Sequence, residues 1–302
     1  SDFFPFNSVP QVDPVTGRKG DSFAVLKERG HLPKVFFTET SAEYWSRAAS
    51  LLHTDTVGKT DAGIDPNLRL YFFTGAQHGV SGSTSRGIFR NPGNDLNHYP
   101  LLRALLVALD RWVTSGVEPP PSAIPRIADE TLVELAAWRK QFPKLPGVTR
   151  ASVMFRPLRL NPGPRWFTRG IADNVPPKIG PAYNTLVPAV DADGIERAGI
   201  KLPAVSVPLG TYTGWNVRNA AAGAGGMLGR FRGSWLAFAK TRAERESVGD
   251  PRRSVRERYP TRAEYMAKIT AAVLVLRRRH LLLDEDAIRI LEKASRRDLW
   301  SE

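Results

Sequence analysis

The chain has 302 residues, of which 42% are hydrophobic and 24% charged, an ordinary balance for a globular protein that excludes a wholly disordered polymer. It has no cysteine, which excludes disulfides, thiolate catalysis and cysteine-ligated zinc. Its formal charge of +13 lies entirely in residues 119–302, because residues 1–118 hold 12 basic and 12 acidic side chains.

The first 52 residues alternate between helical and extended patterns. Residues 21–29 have a helical apolar spacing and stop at Gly30, which predicts a helix. Residues 34–38 are aromatic or β-branched and apolar on both faces, as in a parallel strand buried between helices. Residues 43–52 return to a helical period and predict a second helix.

A second strand and a long helix follow. Residues 68–74 predict another buried strand, which ends at Gly75. Residues 97–114 predict the longest amphipathic helix of this half, stopped by Gly116. This alternation predicts an α/β fold, in which right-handed crossovers build a parallel sheet with helices on its faces.

The proline-rich stretch at residues 116–125 marks a predicted boundary, because its three consecutive prolines cannot continue a helix. We predict that residues 1–118 form a core with the last strands of a sheet, and that residues 119–302 form an extension packed on it. The extension is predicted to have loops and short strands over 142–215 and helices over 261–283 and 285–299.

Two polar side chains follow the two predicted strands. Glu43 opens the helix after the first strand, and His78 follows the second strand in a glycine-flanked loop, residues 74–79. Groups at the carboxyl ends of parallel strands meet in one crevice. An acid and then a histidine is also the order of the α/β-hydrolase triad, in which serine precedes both. We predict His78 as the general base and Glu43 as the carboxylate that fixes its tautomer.

Simpler roles stay open for both residues. A histidine in a glycine-flanked loop is more often a hydrogen-bonded loop residue than a catalyst, and Glu43 has a favourable place at the positive end of a helix dipole in any case. Glu39, at the strand end, competes for the acid role with less reach. The joint occurrence of acid, histidine and strand order favours catalysis by Glu43 and His78.

The sequence has no Gly-x-Ser-x-Gly motif. The nearest match, residues 79–83, lacks the second glycine and follows the histidine. Ser41 lies between a strand and a helix as an elbow serine does, but Glu39 and Glu43 flank it and would oppose a nearby oxyanion. We therefore expect the nucleophile upstream of Ser1 and expect this chain alone to be inactive.

Several sequence segments resemble those of a known family: KVFFTETSAEYWSRAASLLHTD, RLYFFTGAQHG, LLRALLVALDRWV with GVEPPPS, VDADGIERAGIKLP, PLGTYTGWNVR, GDPRRSVRERYP and LLLDEDA. With them the chain resembles, over nearly its whole length, the bacterial alpha/beta hydrolase domain proteins of the α/β-hydrolase superfamily. The resemblance implies the C-terminal half of a hydrolase sheet, an acid at Glu43, a base at His78 and a serine elbow upstream. It also implies an exported bacterial enzyme, truncated or processed here.

Gln77, Tyr44 and Trp215 are predicted to contact substrate. Gln77 and Tyr44 adjoin the predicted pair, and Trp215 belongs to the aromatic segment 211–216, which either lines a crevice or packs the extension against the sheet. Residues 191–194, Asp-Ala-Asp-Gly, resemble the start of a calcium loop without its later ligands, so a tight turn is favoured.

We expect neither a metal, a cofactor nor a transmembrane segment. The five histidines form no HExxH or similar ligand cluster. The longest apolar candidate, residues 271–276, is far shorter than the roughly 18 residues that span a bilayer. No basic-then-apolar leader opens the sequence, and we expect any leader to have been lost with upstream sequence.

The preferred interpretation is part of a serine hydrolase that acts on a small carboxylic ester. The alternative is a non-catalytic basic module that recognises a polyanion through residues 230–302, although no nucleic-acid-binding motif supports it and we expect no nucleic-acid partner. The predicted partner is the missing N-terminal part of the same protein, or a second copy, because an open sheet edge recruits another strand.

Overall fold

A computed structural model describes residues 3–300. The helices are α1 (Ala24–Glu28), α2 (Ser41–Ser46), α3 (Tyr99–Ser115), α4 (Leu135–Gln141), α5 (Trp166–Arg169), α6 (Pro203–Ser206), α7 (Arg242–Val248), α8 (Val255–Arg258), α9 (Arg262–Arg278) and α10 (Asp284–Ser295), with 3₁₀ turns at Ala49–Leu52 and Ala220–Ala222. The strands are β1 (Gln11–Val12), β2 (Lys19–Gly20), β3 (Val35–Thr40), β4 (Leu68–Phe73), β5 (Leu132–Val133), β6 (Leu158–Asn161), β7 (Lys178–Ala182), β8 (Val187–Pro188), β9 (Gly210–Thr213) and β10 (Ser234–Ala237).

The two predicted strands are confirmed as a parallel pair, β3 with β4, in register along their whole lengths. On β4, Tyr71 forms a parallel bridge to Ala123 and Phe73 forms one to Ile200. Within residues 3–300 no strand pairs with the other edge of β3. The carboxyl ends of β3 and β4 lie side by side, so the segments that follow them share one edge of the sheet.

The helix predicted over residues 43–52 is wrong as a continuous element. It is divided into α2 and a 3₁₀ turn, and the break lies at Ala48, whose φ of +58° is left-handed. The carbonyl of Trp45, which would continue the helix, instead accepts a hydrogen bond from the N–H of Phe155 at 2.8 Å. A contact with a segment distant in sequence therefore ends the helix early.

The proline-rich stretch runs along the sheet. The N–H of Ala123 donates to the carbonyl of Leu70, and the carbonyl of Ala123 accepts from the N–H of Phe72, both at 2.9 Å. One buried cluster also includes Leu101 of α3 and Ile269 of α9. Residues 119–300 therefore share a core with residues 3–118, and the division at that point stays a prediction.

The long helices begin and end within a few residues of the sequence prediction, as α3, α9 and α10. Leu101, Ala104 and Leu105 give α3 a buried face at helical spacing. No helix of residues 3–300 has both the length and the apolar character needed to cross a bilayer.

A buried ion pair ties the N-terminal segment to β6. Arg159 donates to both carboxylate oxygens of Asp13 at 2.8 to 3.2 Å, and the two side chains are 5% and 0% exposed. Burial raises the pKa of Asp13, but hydrogen bonds from Arg159, Thr16 and Thr56 outweigh it and hold the pKa at about 2, below the ordinary 3.8. The pair therefore stabilises the fold above about pH 4 and loses that contribution as the pH falls towards 2.

We expect Arg159→Leu to lower the free energy of unfolding by roughly 3–5 kcal/mol at pH 7, because Asp13 would be left buried without its partner. Urea unfolding followed by circular dichroism measures the change. Arg165→Leu is the matched control, since it breaks an exposed pair with Asp173 and should change stability far less. Equal losses in the two variants would contradict the argument from burial.

Candidate active site

Helix α2 starts directly at the end of β3. Thr40 is its N-cap, and the sequence Thr-Ser-Ala-Glu forms a capping box. The N–H of Thr40 donates to Oε2 of Glu43 at 2.7 Å, and the Thr40 hydroxyl donates to the same oxygen. Four adjacent residues thereby fix Oε2 of Glu43 and leave Oε1 for another partner.

The loop after β4 turns at Gly75, whose φ is +70°. A side chain there would place its Cβ 2.9 Å from the Cβ of Tyr212, so both conformation and packing require glycine. The loop carries His78 to α2, where its Nδ1 lies 2.5 Å from Oε1 of Glu43. The structure thus brings the predicted acid and base together, although they are separated in sequence by β4.

The contact sets which ring nitrogen of His78 faces away. A carboxylate only accepts hydrogen bonds, so Nδ1 of the neutral ring carries the proton and Nε2 keeps its lone pair. The His78 side chain is 55% exposed, whereas that of Glu43 is 12% exposed. In the part of the chain that the structure describes, no side chain bonds to Nε2. The pair can therefore take a proton at Nε2 with a carboxylate behind the ring.

Two of the other histidines, His53 and His98, are buried. Burial lowers the pKa of each to about 4, so both are neutral at pH 7. His53 bonds to the Tyr44 hydroxyl at 2.8 Å. Of the histidines in residues 3–300, His78 is the one that contacts a carboxylate.

Glu39 does not contact His78. It lines a cavity of about 320 Å³ together with Arg47. Burial and the nearby charge of Glu43 raise the pKa of Glu39 to about 8, so it is mainly protonated at pH 7. Of the two glutamates, Glu43 is therefore the one whose carboxylate contacts the His78 ring.

Ser41 is the first residue of α2, directly after β3, and its side chain is buried. Its hydroxyl donates to Oε1 of Glu196 and accepts a hydrogen bond from the N–H of Gly214 at 3.0 Å. A Cβ at position 214 would come within 2.3 Å of Ser41, so the segment packs tightly against it. Ser41 is therefore held in the core and presents no hydroxyl to His78.

Glu196 links the ends of the two parallel strands. Its Oε1 accepts from Ser41 at the start of α2, and its Oε2 accepts from the N–H of Gly75 at 2.8 Å. Burial raises the pKa of Glu196 to about 7, and these two hydrogen bonds act against the rise. The sequence analysis missed Glu196, because it lies far along the chain from both partners and no local pattern marks it.

The three predicted substrate contacts are buried. The side chain of Gln77 accepts from the N–H of Gly233 and donates to the carbonyl of Gly79, both at 2.9 Å. Tyr44 is 0% exposed and Trp215 is 2% exposed. The rings of Tyr44 and Trp215 pack in the core, and their contact with substrate stays a prediction.

An aromatic side chain that the sequence analysis missed lies beside the pair. The ring centroid of Phe231 is 4.7 Å from that of His78, and the Arg47 guanidinium lies 5.0 Å from the Phe231 ring. Phe231 is 43% exposed. Phe231 belongs to the glycine-rich segment 223–233. The density of glycines there is the one sequence feature that could have drawn attention to it.

The aspartate-glycine segment forms the expected tight turn. Oδ1 of Asp191 accepts the N–H groups of Asp193 and Ile195 at 2.9 and 3.0 Å, and Gly194 has a φ of +77°. Among residues 3–300 no group of three or more His, Asp and Glu side chains is arranged to hold a metal ion.

The chain was compared with known proteins. A family model described as "Alpha/beta hydrolase domain" matches residues 16–292, which include β3, β4, Glu43 and His78. No curated protein and no solved structure matches the chain.

Proposed function

The chain belongs to the alpha/beta hydrolase domain family, and from that membership we propose that it supplies the acid and the base of a serine hydrolase. Glu43 is the acid, His78 is the base, and the nucleophilic serine comes from a segment upstream of Ser1. The observation that carries the proposal is the 2.5 Å contact between Glu43 Oε1 and His78 Nδ1 at the ends of adjacent parallel strands.

The chemistry follows from the free Nε2 of His78. Nε2 takes the proton of the serine hydroxyl as its oxygen attacks the carbonyl carbon of an ester, and the carbonyl oxygen becomes an oxyanion. The imidazolium then returns the proton to the leaving alkoxide, and a water molecule repeats the sequence on the acyl-enzyme. Glu43 stays ionised and stabilises the imidazolium throughout.

The free edge of β3 supports an origin for the serine outside residues 3–300. A strand that paired there in parallel would end at the same edge of the sheet as Glu43 and His78. Its following turn would carry a nucleophile towards Nε2. We accordingly propose that the described strands are the C-terminal half of the hydrolase sheet.

The substrate class rests on the fold and on Phe231. Fold analogy favours carboxylic esters over amides. The exposed ring of Phe231 beside His78 offers an apolar contact for the acyl or alcohol part. These features favour a small ester with an apolar acyl or alcohol part.

The alternative function, polyanion binding through residues 230–302, is less well supported. Arg252 is buried and bonds to Asp250 and to the carbonyls of Leu236 and Ala237. Arg258 is paired with Asp193. These arginines hold the fold together and are not available to a polyanion.

A fluorophosphonate probe with a p-nitrophenyl ester assay tests the proposal. We expect labelling and turnover from the longer protein that includes the native sequence upstream of Ser1, and neither from the 302-residue chain. Mass spectrometry should place the labelled serine upstream of Ser1. Labelling of the 302-residue chain would put the nucleophile within it, and absence of labelling in the longer protein would overturn the serine mechanism.

A further inference from the structure

A cavity of about 370 Å³ lies between α3, α9, α10 and the start of α6, and it shares no lining residue with the Glu43–His78 pair. Small-molecule pockets begin at about 300 Å³. The apolar side chains that line it include Leu96, Pro100, Leu202, Pro203, Ile269 and Ile290. The cavity is large enough for a small molecule with an apolar body.

Cations line this cavity on α10 and on the residues just after it. Arg289 and Lys293 are four residues apart on one face of α10, and Arg297 follows just beyond the end of the helix; all three line the cavity. Arg289 bonds to Asp286 at 3.4 Å. Lys293 and Arg297 have neither an ion pair nor a side-chain hydrogen bond within residues 3–300. Within the described residues, Lys293 and Arg297 are therefore two cations beside the cavity that no carboxylate neutralises.

The carboxylates of the cavity already have partners. Asp286 is 1% exposed and accepts two hydrogen bonds from Arg103, at 2.9 and 2.5 Å. Asp95 accepts from the Tyr212 hydroxyl at 3.0 Å. Burial and Asp95 raise the pKa of Tyr212 well above its usual value, so the hydroxyl keeps its proton, and Arg297 acts in the other direction. Neither carboxylate forms an ion pair with Lys293 or Arg297.

We propose that this cavity is a second binding site, which takes a small carboxylic acid with an apolar body. The carboxylate binds Lys293 and Arg297, and the apolar part packs against Leu202 and Ile269. Half-buried Arg297 is the main determinant, because an ion pair is worth more when it is partly desolvated.

The cavity selects a monoanion with an apolar part over inorganic anions. Asp95, which forms no ion pair within residues 3–300, lies in the same cavity and repels a second negative charge. Phosphate has no apolar atoms to bury against Leu202 and Ile269, so it forgoes the hydrophobic contribution. The chemical class is therefore a small aromatic or aliphatic carboxylate.

Isothermal titration calorimetry of the 302-residue chain with benzoate tests the proposal. We expect saturable binding that weakens as the salt concentration rises. Methyl benzoate, which keeps the ring but not the charge, and inorganic phosphate, which keeps charge without the ring, should each bind at least about tenfold more weakly. Equal binding of either probe, or no binding of benzoate, overturns the proposal.

Two substitutions locate the site. Arg297→Ala should weaken benzoate binding about tenfold, since a hydrogen-bonded charge is removed. Ala204→Trp should block binding sterically, because Ala204 is an exposed lining residue. Arg296→Ala is the matched control: Arg296 is exposed next to Arg297 but does not line this cavity. Equal weakening by Arg296→Ala and Arg297→Ala would mean that net charge, not this cavity, attracts the acid.

A variant of the proposed active site separates the two proposals. His78→Ala should bind benzoate as the unmodified chain does, because His78 does not line the cavity. Loss of benzoate binding in that variant would place the acid at the Glu43–His78 pair and overturn a second site. Failure of the esterase assay would leave the benzoate result unaffected.

Discussion

Replacing His78 with alanine is expected to lower ester turnover by the longer protein about 10⁴-fold or more, leaving only what oxyanion stabilisation and substrate binding supply. The imidazole is the proposed base, since within residues 3–300 no side chain bonds to its Nε2 and its Nδ1 contacts Glu43. The measurement is kcat/KM for p-nitrophenyl acetate, together with the rate of fluorophosphonate labelling. Both should fall together, because both need an activated serine.

The His78→Ala variant should fold normally, because the side chain is 55% exposed. Its thermal unfolding midpoint separates lost chemistry from lost structure. His31→Ala removes another exposed imidazole and should keep full turnover. If His78→Ala kept turnover within tenfold of the unmodified protein, His78 would not be the base.

Glu43→Gln is expected to lower kcat about 10³- to 10⁴-fold through the wrong histidine tautomer. The backbone N–H of Thr40 donates to Oε2 of Glu43, and in the glutamine variant only the amide oxygen can accept that hydrogen bond. The amide oxygen therefore takes the place of Oε2, and the NH₂ group faces His78. An NH₂ group donates, which requires Nδ1 to accept and moves the ring proton to Nε2. With Nε2 protonated, the ring no longer acts as a base.

Glu39→Gln is the matched control for that substitution. It makes the same chemical change four residues earlier, at a carboxyl that is mainly protonated at pH 7 and does not contact His78. Turnover at pH 7 should stay within a few-fold. Nuclear magnetic resonance of the His78 ring nitrogens reports the tautomer directly. An unchanged tautomer in Glu43→Gln, or equal losses in both variants, would remove Glu43 from the acid role.

Features that depend on short-range patterns could be predicted from the amino-acid sequence. Apolar strands followed by glycine and polar residues predicted β3 and β4 as a parallel pair, which the structure confirms. Thr40 and Glu43 are three residues apart, as a capping box requires, so local sequence orients the carboxylate of the proposed acid. The sequence segments that resemble the alpha/beta hydrolase domain proteins indicated the family, and the family model matches residues 16–292.

The other features could not be predicted, because they depend on contacts between residues that are distant in sequence. Helix α2 ends where the N–H of Phe155 donates a hydrogen bond to the carbonyl of Trp45. The helical period of the sequence does not reveal that contact. Glu196 became the link between the strand ends only when the chain returned to them, and Phe231 came to lie beside His78 in the same way. Periodicity and capping act over a few residues, whereas burial and long-range hydrogen bonds exist only once the fold has formed.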